Sequence, residues 1–504
     1  METFRVALTA MTERLDPGHY RPILVENHAL LRRFGARNLG ELYLRSGIGH
    51  TAAVTPHYTE ADDGVAFVSG GCIVAGHLEL NGAARIRRLA HVGIMNGSRL
   101  KPGWVLLVRK GELGNSAVVP CGNEVNCSSE VMFLQMHPEA DSGFVSSYFN
   151  SRHGRMAFLR QQRGMMITSI SLYDVPELPV PHVHPHAALY IGDKVRQAER
   201  LRGRARRLEA ESSAFFQLSE WTEARAGTRR AYTARRSVMR SERLDSPFYD
   251  PGHEDLDSLL RRRGYIELNE VASLNESRWP RGGDKFSYFE IGELDIASGI
   301  LSPTTTEVVG APSRAQTLVE PWDVLVSTVR PNRKNVGLVL PCDDSLALVA
   351  STGFAVLRFE NAEAAAFYHS FLRSDAATQQ LMRWNSGATY PAIENDVPLR
   401  IRAPRFDDEV VRRKGRRWLT KFSALSGSRG LTVVATSLVE NLIDGHITEA
   451  ELVAAQKALE AGDRSADREI LKSLRQSDAP DAMPLIADVD ALYSLLDGSE
   501  GQDP

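Results

Sequence analysis

Arg14-Leu15-Asp16-Pro17-Gly18-His19-Tyr20-Arg21-Pro22 returns as Arg243-Leu244-Asp245-Ser246-Pro247-Phe248-Tyr249-Asp250-Pro251, with Arg, Leu, Asp, Tyr and Pro at identical spacing. A second block, Arg99 to Cys121 (RLKPGWVLLVRKGELGNSAVVPC), lines up with Thr317 to Cys342 (TLVEPWDVLVSTVRPNRKNVGLVLPC). It pairs Trp104 with Trp322 and Pro120-Cys121 with Pro341-Cys342. A third, Phe144 to Pro181, lines up with Ala366 to Pro404 and pairs Asp174-Val175-Pro176 with Asp396-Val397-Pro398. Three ordered blocks at an offset near 220 residues make the chain an internal duplication. Such a repeat constrains the fold before any local pattern does.

Both copies carry the same coarse signals. Trp104 to Val108 and Trp322 to Ser327 are short, rich in Val and Leu and bounded by Pro or Gly, as buried strands are. Further strands are expected at Ala117 to Val119 and Gly337 to Leu340, and near Val131 to Gln135 and Ala355 to Phe359. Apolar residues then change to helical spacing, with Phe144, Tyr148 and Phe149 in one copy and Phe367, Phe371 and Leu372 in the other. A Gly loop leads to a last strand, Leu178 to Val180 or Leu399 to Ile401, which a proline stops.

After the first copy, His186 to about Thr233 holds Ile191, Val195, Ala198, Leu201, Ala205 and Leu208 at three- and four-residue steps. This is a long helix with a narrow apolar seam that needs another helix against it. After the second copy, Asp407 to Leu425 carries Val411, Trp418 and Leu425 at seven-residue steps, followed by Leu431 to Ile443. Beyond these, Thr448-Glu449-Ala450-Glu451 is a capping box that opens a helix with Leu452, Ala455 and Leu459 as its stripe. From Asp478 the chain turns acidic, with a short apolar patch at Val489 to Leu496 and an expected frayed end. The fold class is α/β in the α+β sense: two mixed-sheet modules joined by long antiparallel helices, with a small C-terminal helical appendage. The expected division is 1–185 and 243–405 for the modules, 186–242 and 406–445 for the helical spacers, and 446–504 for the appendage and acidic tail.

The chain has 504 residues, 43% of them hydrophobic, enough for about three cores of ordinary size. A net charge of −3 gives no global nucleic-acid signal; what counts is where the basic residues cluster. Cys72, Cys121, Cys127 and Cys342 are too few and too irregular for a disulfide framework or a zinc knuckle. Neither a leader nor an 18-residue apolar run is evident, so a cytoplasmic protein without a membrane span is expected.

Catalytic motifs are scarce. Ser246-Pro247-Phe248-Tyr249 is similar to the aromatic tetrapeptide of amino-methyltransferases, but the second proline is missing and no Gly-rich cofactor loop precedes it. The stretch is better explained as the second copy of the Arg-Leu-Asp repeat. His182, His184 and His186 alternate in a Pro-rich junction with no acidic or sulfur ligand beside them and none in the second copy. No P-loop, nucleophile elbow or paired-histidine zinc helix is present. No catalytic residue, metal or cofactor is expected.

Basic clusters are more informative. Arg152, Arg155, Arg160 and Arg163 stand near the end of copy one. Arg330, Arg333, Lys334 and Asn335 occupy the strand-to-strand loop of copy two, where copy one has Arg109, Lys110 and Asn115. Arg at the rim of a rigid sheet can bond guanine edges bidentately and Asn adenine, while Lys and further Arg hold phosphates. A solvated loop explains any single residue equally well; recurrence at one place in both copies favours function for the loop. The Arg-rich stretch Lys194 to Arg207 is expected to be the wet face of its helix.

With module, helix, module, helix in order, the chain resembles the specificity subunit of type I restriction-modification systems. The resemblance covers roughly Met1 to Gly445. It rests on Leu-x-x-x-Trp-Asp-Val-Leu-Val-Ser (Leu318 to Ser327), a Gly loop (Gly387 to Ile393), Asp396-Val397 and Leu399 to Pro404. The copy-one equivalents are Leu100 to Val108, Gly164 to Ile170, Asp174-Val175 and Leu178 to Pro181. It implies that each module is a target-recognition domain reading half of a bipartite site in double-stranded DNA. It also implies that the helices act as a spacer and dock two DNA adenine methyltransferase subunits, with a restriction or translocase subunit as a further partner, and that the chain itself is not catalytic. On this view Thr168, Thr389 and Tyr390 of the Gly loops join the candidate DNA contacts. A helix of about 35 residues spans roughly 50 Å, near one and a half turns of duplex at about 34 Å each. The family's Gln-Glu-rich helix opening is replaced here by His-Pro-His-Ala and Arg-Phe-Asp-Asp, and the appendage exceeds the common plan. A related defence complex using the same reader, a duplicated protein-interaction scaffold and a stand-alone methyltransferase remain the alternatives.

Overall fold

The computed structural model describes residues 14, 16–61, 63–74, 76–122, 124–164, 168–221, 239, 243, 245–341, 346–386, 390–475 and 483–500. Leu15, Leu244, Cys342, Thr389, the 222–233 end of the expected first long helix and parts of both Gly loops lie outside them. Two compact units result: Met1–Gly203 with Ala424–Pro504, holding module 1, and Arg204–Ser423, holding module 2.

The Arg-x-Asp repeat is a clamp in each unit. Arg14 forks onto Asp16 (Nε and Nη2, both 2.8 Å) and its Nη2 also donates to the Gln162 carbonyl (2.7 Å). Arg243 forks onto Asp245 (2.8 and 2.9 Å) and donates to the carbonyls of Trp384 (3.1 Å) and Asn385 (2.9 Å). The repeated tyrosine closes each turn, Tyr20 donating to the Arg14 carbonyl (2.7 Å) and Tyr249 to that of Arg243 (2.6 Å). Bidentate geometry makes these strong local ties, and they anchor each module's first segment to the end of its helical pair. Phe248 of the methyltransferase-like tetrapeptide is 2% exposed, with the Arg243 and Arg383 guanidinium groups 4.9 and 4.8 Å from its ring. It is a structural plug and belongs to the repeat.

Each module has a main sheet and a second one, of four strands each in module 1 and of six and four in module 2. In module 1 the main sheet orders Tyr43–Ile48, Val131–Met136, Val105–Val108 and Ser116–Val118, all antiparallel. Module 2 repeats it as Ala272–Leu274, Phe354–Phe359, Val324–Ser327 and Val336–Leu338, and the hairpin Leu294–Asp295/Ile300–Leu301 extends it to six strands. The central strands are buried on both faces, which explains their unbroken Val-Leu runs. The second sheets order Ala84–Ile86, Val65–Val68, Val125–Cys127, Arg99–Leu100 and Thr304–Glu307, Lys285–Phe289, Ala347–Ser351, Ala315–Leu318.

Register corrects the sequence pairing by one residue. Val119 N–H donates to the Trp104 carbonyl (2.9 Å) where Val339 N–H donates to that of Asp323 (3.0 Å). Trp322, at φ 76°, therefore stands where Gly103 stands at φ 82°, and Trp104 corresponds to Asp323. Trp104 stacks on Phe133 at 5.2 Å, whereas the buried Asp323 takes a bidentate fork from Arg358 at 2.9 Å. The last strand of module 2 also shifts. Val397–Arg400 is a 3-10 turn with Pro398 as its second residue, and the strand is Arg402–Ala403, not Leu399 to Ile401.

Two helices follow the sheet in each module, Ser142–Asn150 with Arg152–Gln161 and Ala362–Leu372 with Asp375–Arg383. Their side-chain N-caps are Asp141, Ser151, Asn361 and Ser374. The first long helix is Pro185–Phe215, shorter than expected, and the second is one unbroken helix, Asp408–Asp444. All six seam residues from Ile191 to Leu208 are buried, as are Val411 and Trp418. Within the second unit the helices run antiparallel: Glu209 pairs with Lys421 (2.6 Å), Glu211 with Arg417 (2.8 Å), and Phe215 packs against Trp418.

The long helices are duplicated as well, which sequence comparison missed. Gly192 and Gly415 each stand eleven residues after the paired prolines Pro181 and Pro404. A Cβ on Gly192 would lie 1.9 Å from Asp141 Oδ1, and on Gly415 1.9 Å from the Glu363 carbonyl. Each glycine lets its long helix press on the N-terminus of its module's first helix.

The appendage folds as Glu449–Glu460, Ser465–Ser473 and Val489–Glu500, the first opened by the expected Thr448 capping box. The patch expected to fray is the third helix, with Val489, Leu492, Tyr493 and Leu496 buried. Lys194 is also not on a wet face. It is 0% exposed and donates to Asp467 (2.5 Å), whose carboxylate accepts the Tyr190 and Tyr493 hydroxyls at 2.5 Å each. Arg202, 6% exposed, donates to Thr432 (2.6 Å). Burial pushes the Cys127 thiol up to about 12. No described helix is long and apolar enough to cross a membrane.

Candidate nucleic-acid interface

In each module the loop leaving the central strand is zipped to the Gly loop by the same backbone bonds. In module 1, Ile170 N–H donates to the Arg109 carbonyl (3.1 Å), Gly111 N–H to that of Thr168 (3.4 Å), and Arg163 and Ser169 exchange bonds (2.8 and 3.0 Å). In module 2, Ile393 N–H donates to Thr328 (2.9 Å), Arg330 N–H to Pro391 (2.7 Å), and Ser386 and Ala392 exchange bonds (2.8 and 3.2 Å). One rim therefore exists twice, with its side chains free to differ.

Several of the expected contact residues already have protein partners at that rim. Asn115 is 6% exposed; its amide donates to the Ile73 carbonyl (3.3 Å) and Glu112 (3.0 Å) and accepts from Arg155 (3.1 Å). Asn335 is buried at the matching point, 7% exposed. Both lack an open amide edge for adenine. Arg109 is half-buried and donates to the Ser129 carbonyl (2.9 Å), and burial lowers its guanidinium. Arg163 is exposed, yet its fork is taken by Asp174 (2.7 and 2.8 Å). Arg152 is held by Asp444, and Arg160 is half-buried. The arginine cluster of copy one is thus engaged with its own fold, while Arg152, Arg155 and Arg163 stay exposed.

What remains differs between the rims. Module 1 presents Lys110, which makes no side-chain ion pair among the described residues, and Thr168, whose hydroxyl donates to the Gly111 carbonyl (3.3 Å). Module 2 presents Arg333, exposed, and Arg330, whose guanidinium lies 4.8 Å from the ring centroid of Tyr390, itself 64% exposed. Lys334 reaches Asp375 at 2.9 Å on the surface. Thr389 lies outside the described residues.

The backbone adds a signal that sequence comparison lacked. Arg330 (φ 52°) and Lys334 (φ 56°) occupy left-handed conformations, and by the zipper bonds they match Gly111 (φ 86°) and Gly114 (φ 87°). Such conformations cost a non-glycine residue on the order of 1 kcal/mol and concentrate at functional sites. Aligning glycines with basic residues across the two loops would have found them.

His184 and His186 lie with ring centroids 5.2 Å apart. Among the described residues no three or more His, Cys, Asp or Glu are grouped so as to hold a metal ion.

No family model and no curated protein matches the chain. Among solved structures it is similar to the type I restriction-modification S subunit from M. genitalium, with 15% identity and a TM-score of 0.40 over 81% of this chain and 95% of that one. It is similar to the HsdS subunit from Thermoanaerobacter tengcongensis, with 18% identity and a TM-score of 0.22 over 86% and 96%. A chain from a structure of type I R-M complex assembly and conformational transition gives 16% identity and a TM-score of 0.25 over 81% and 97%. Likeness at this level establishes no activity, and the functional reading rests on the chain's own geometry.

Proposed function

We propose that the chain is the sequence-specific DNA-recognition subunit of a type I restriction-modification complex, or of a related methylation-linked defence complex. Each module reads one half of a split duplex site, and the long helices dock adenine methyltransferase subunits. The subunit itself performs no chemistry. The observation that carries this reading is the doubled rim: one backbone zipper with different side chains, and two basic residues held in strained positions that module 1 fills with glycine. A scaffold that only grips proteins has no need of strained cations at a loop tip. Stacked on Tyr390, the Arg330 guanidinium is preorganised for a guanine edge, and Lys110, Arg333 and Lys334 suit phosphates.

Methylation sequencing of the host with and without the gene tests this. Loss of one split methylated motif is the expected result; loss of none, or of a continuous one, counts against it. A salt titration with the assembled complex separates the scaffold alternative, since phosphate neutralisation makes affinity fall steeply with salt, whereas a scaffold binds no duplex at all.

A further inference from the structure

In both modules the edge strands of the second sheet are joined by a segment that crosses the sheet face turned away from the main core. In module 1 it runs from Ala84–Ile86 to Arg99–Leu100, and in module 2 from Thr304–Glu307 to Ala315–Leu318. Part of each segment closes a small core. Ala90 and Met95 pack with Val65, Phe67 and Ile86; Val308 and Ala311 pack with Trp279, Phe286 and Tyr288. The rest of the segment leaves large aliphatic side chains in the open: Leu89 at 84% exposure and Ile94 at 66% in module 1, and Val309 at 91% in module 2. Large exposed aliphatics thus recur on this segment in both copies, two of them in module 1 and one in module 2.

The surroundings of the module 1 segment are basic. Residues 84–100 contain Arg85, Arg87, Arg88 and Arg99 and no Asp or Glu. Arg88 is paired with Glu124 and Arg99 reaches Asn96 (3.4 Å), while Arg87 is exposed with no side-chain partner among the described residues. The module 2 segment carries the exposed Arg314, with Arg278 bridged to Thr317 and Asp284 taking the Val308 N–H on its carbonyl (2.9 Å), so its surroundings are of mixed charge. An aliphatic point inside an arginine collar complements a duplex, with phosphates for the collar and thymine methyls or an opened base step for the point.

We propose that Leu89 and Ile94, with the arginines around them, form a second duplex contact of module 1, separate from the rim. The inference rests on the DNA-reading function above. Its test uses the assembled complex and a duplex carrying the methylated motif found by sequencing. Leu89→Ala/Ile94→Ala should weaken motif binding about tenfold with an unchanged salt slope. Arg87→Ala should lower the log–log salt slope by roughly 1, because Arg88 is already paired with Glu124. The altered side chains are surface groups, and an unchanged melting temperature confirms that each variant is folded. If wild type binds the motif and both variants bind and methylate it equally well, the proposal is wrong while the DNA-reading function stands. If Leu89→Ala/Ile94→Ala instead loses a partner subunit at unchanged DNA affinity of the remainder, the tip is a protein interface and the proposal is likewise overturned. If the wild-type complex binds no duplex, both readings fall.

Discussion

Modules 1 and 2 meet the same structural demands at equivalent points with different chemistry. Thirteen residues after the paired prolines, Lys194 is sealed in the first unit against Asp467, and Arg417 lies at the surface of the second against Glu211. On the helix after the main sheet, Ser146 accepts from Ser116 (3.0 Å), and its counterpart His369 bonds the Val336 carbonyl (3.2 Å). Gly192 and Gly415 keep the same residue but press on different atoms. Duplication has preserved where the backbone approaches closely, and left open how charge and side-chain volume are arranged there.

The largest expected difference is at Lys194 and Arg417. Burial pushes the Asp467 carboxyl up, but Lys194 and the Tyr190 and Tyr493 hydroxyls outweigh it and hold the group below the usual carboxylate range. Lys194→Ala strands that carboxylate in the interior and should cost about 3–5 kcal/mol, read as a lower urea midpoint and faster proteolysis of the appendage. Arg417, 46% exposed, should cost below about 1 kcal/mol on replacement by Ala. Equal losses would break the comparison.

Next come the glycines. Gly415→Ala drives a methyl into the Glu363 carbonyl, a backbone atom that cannot swing away, and should destabilise the second unit by about 3 kcal/mol. Gly192→Ala meets the Asp141 carboxylate, which can rotate at the loss of its cap on Phe144 (2.9 Å), so about 1–2 kcal/mol is expected. Thermal melts of the two variants should rank in that order.

Much of this was legible in the sequence and some was not, for physical reasons. The repeat blocks located both clamps and the central strands, and three- and four-residue apolar spacing located the helix seams, because doubly buried strands leave unbroken apolar runs and amphipathic helices a periodic record. The pairing slipped by one residue at Trp104 and Trp322, since matching tryptophans outweighed a Gly103 to Trp322 exchange that only backbone hydrogen bonds and φ reveal. Asn115 and Asn335 have the residue type for reading adenine, but burial and hydrogen-bond partners are tertiary facts that residue type does not encode. Lys194 read as a solvated lysine because its partner Asp467 lies 273 residues away. The basic residues in glycine slots were visible only as an alignment mismatch.

Acid should weaken both units, since burial also lowers His19, His28, His91 and His153 of the first, but one residue of the second can be isolated. His369 is fully buried, and burial first, then the charges of Lys421 and Arg373, hold its imidazole well below the ordinary value. The folded second unit keeps it neutral while the unfolded chain protonates near pH 6.5, so stability is full above about 6.5 and falls as pH drops below it. The slope is at most about 1.4 kcal/mol per pH unit. His369→Ser, copying Ser146, should reduce the fall of the second unit's melting temperature between pH 7 and 5, with His253, also lowered by burial, carrying the remainder, and should leave the pH profile of the first unit as it is. An undiminished slope would show that another group titrates.

The smallest stability effect bears most on function. Arg330→Gly and Lys334→Gly give module 2 the glycines that module 1 already has at these points. Each removes a left-handed side chain that costs roughly 1 kcal/mol, partly offset by the greater freedom of glycine in the unfolded chain. Lys334→Gly also loses a surface pair with Asp375 worth below about 1 kcal/mol. Arg330→Gly should therefore be neutral or stabilising by up to about 1 kcal/mol, with Lys334→Gly close behind, in chemical denaturation. The same Arg330→Gly change should relax the methylated motif at one position of a single half-site, as loss of a bidentate guanine contact does. A stabilised variant with an unchanged motif would mean that the strained arginine reads nothing. The reverse substitution, Gly111→Arg, should strain module 1 by about 1 kcal/mol and alter only the other half-site.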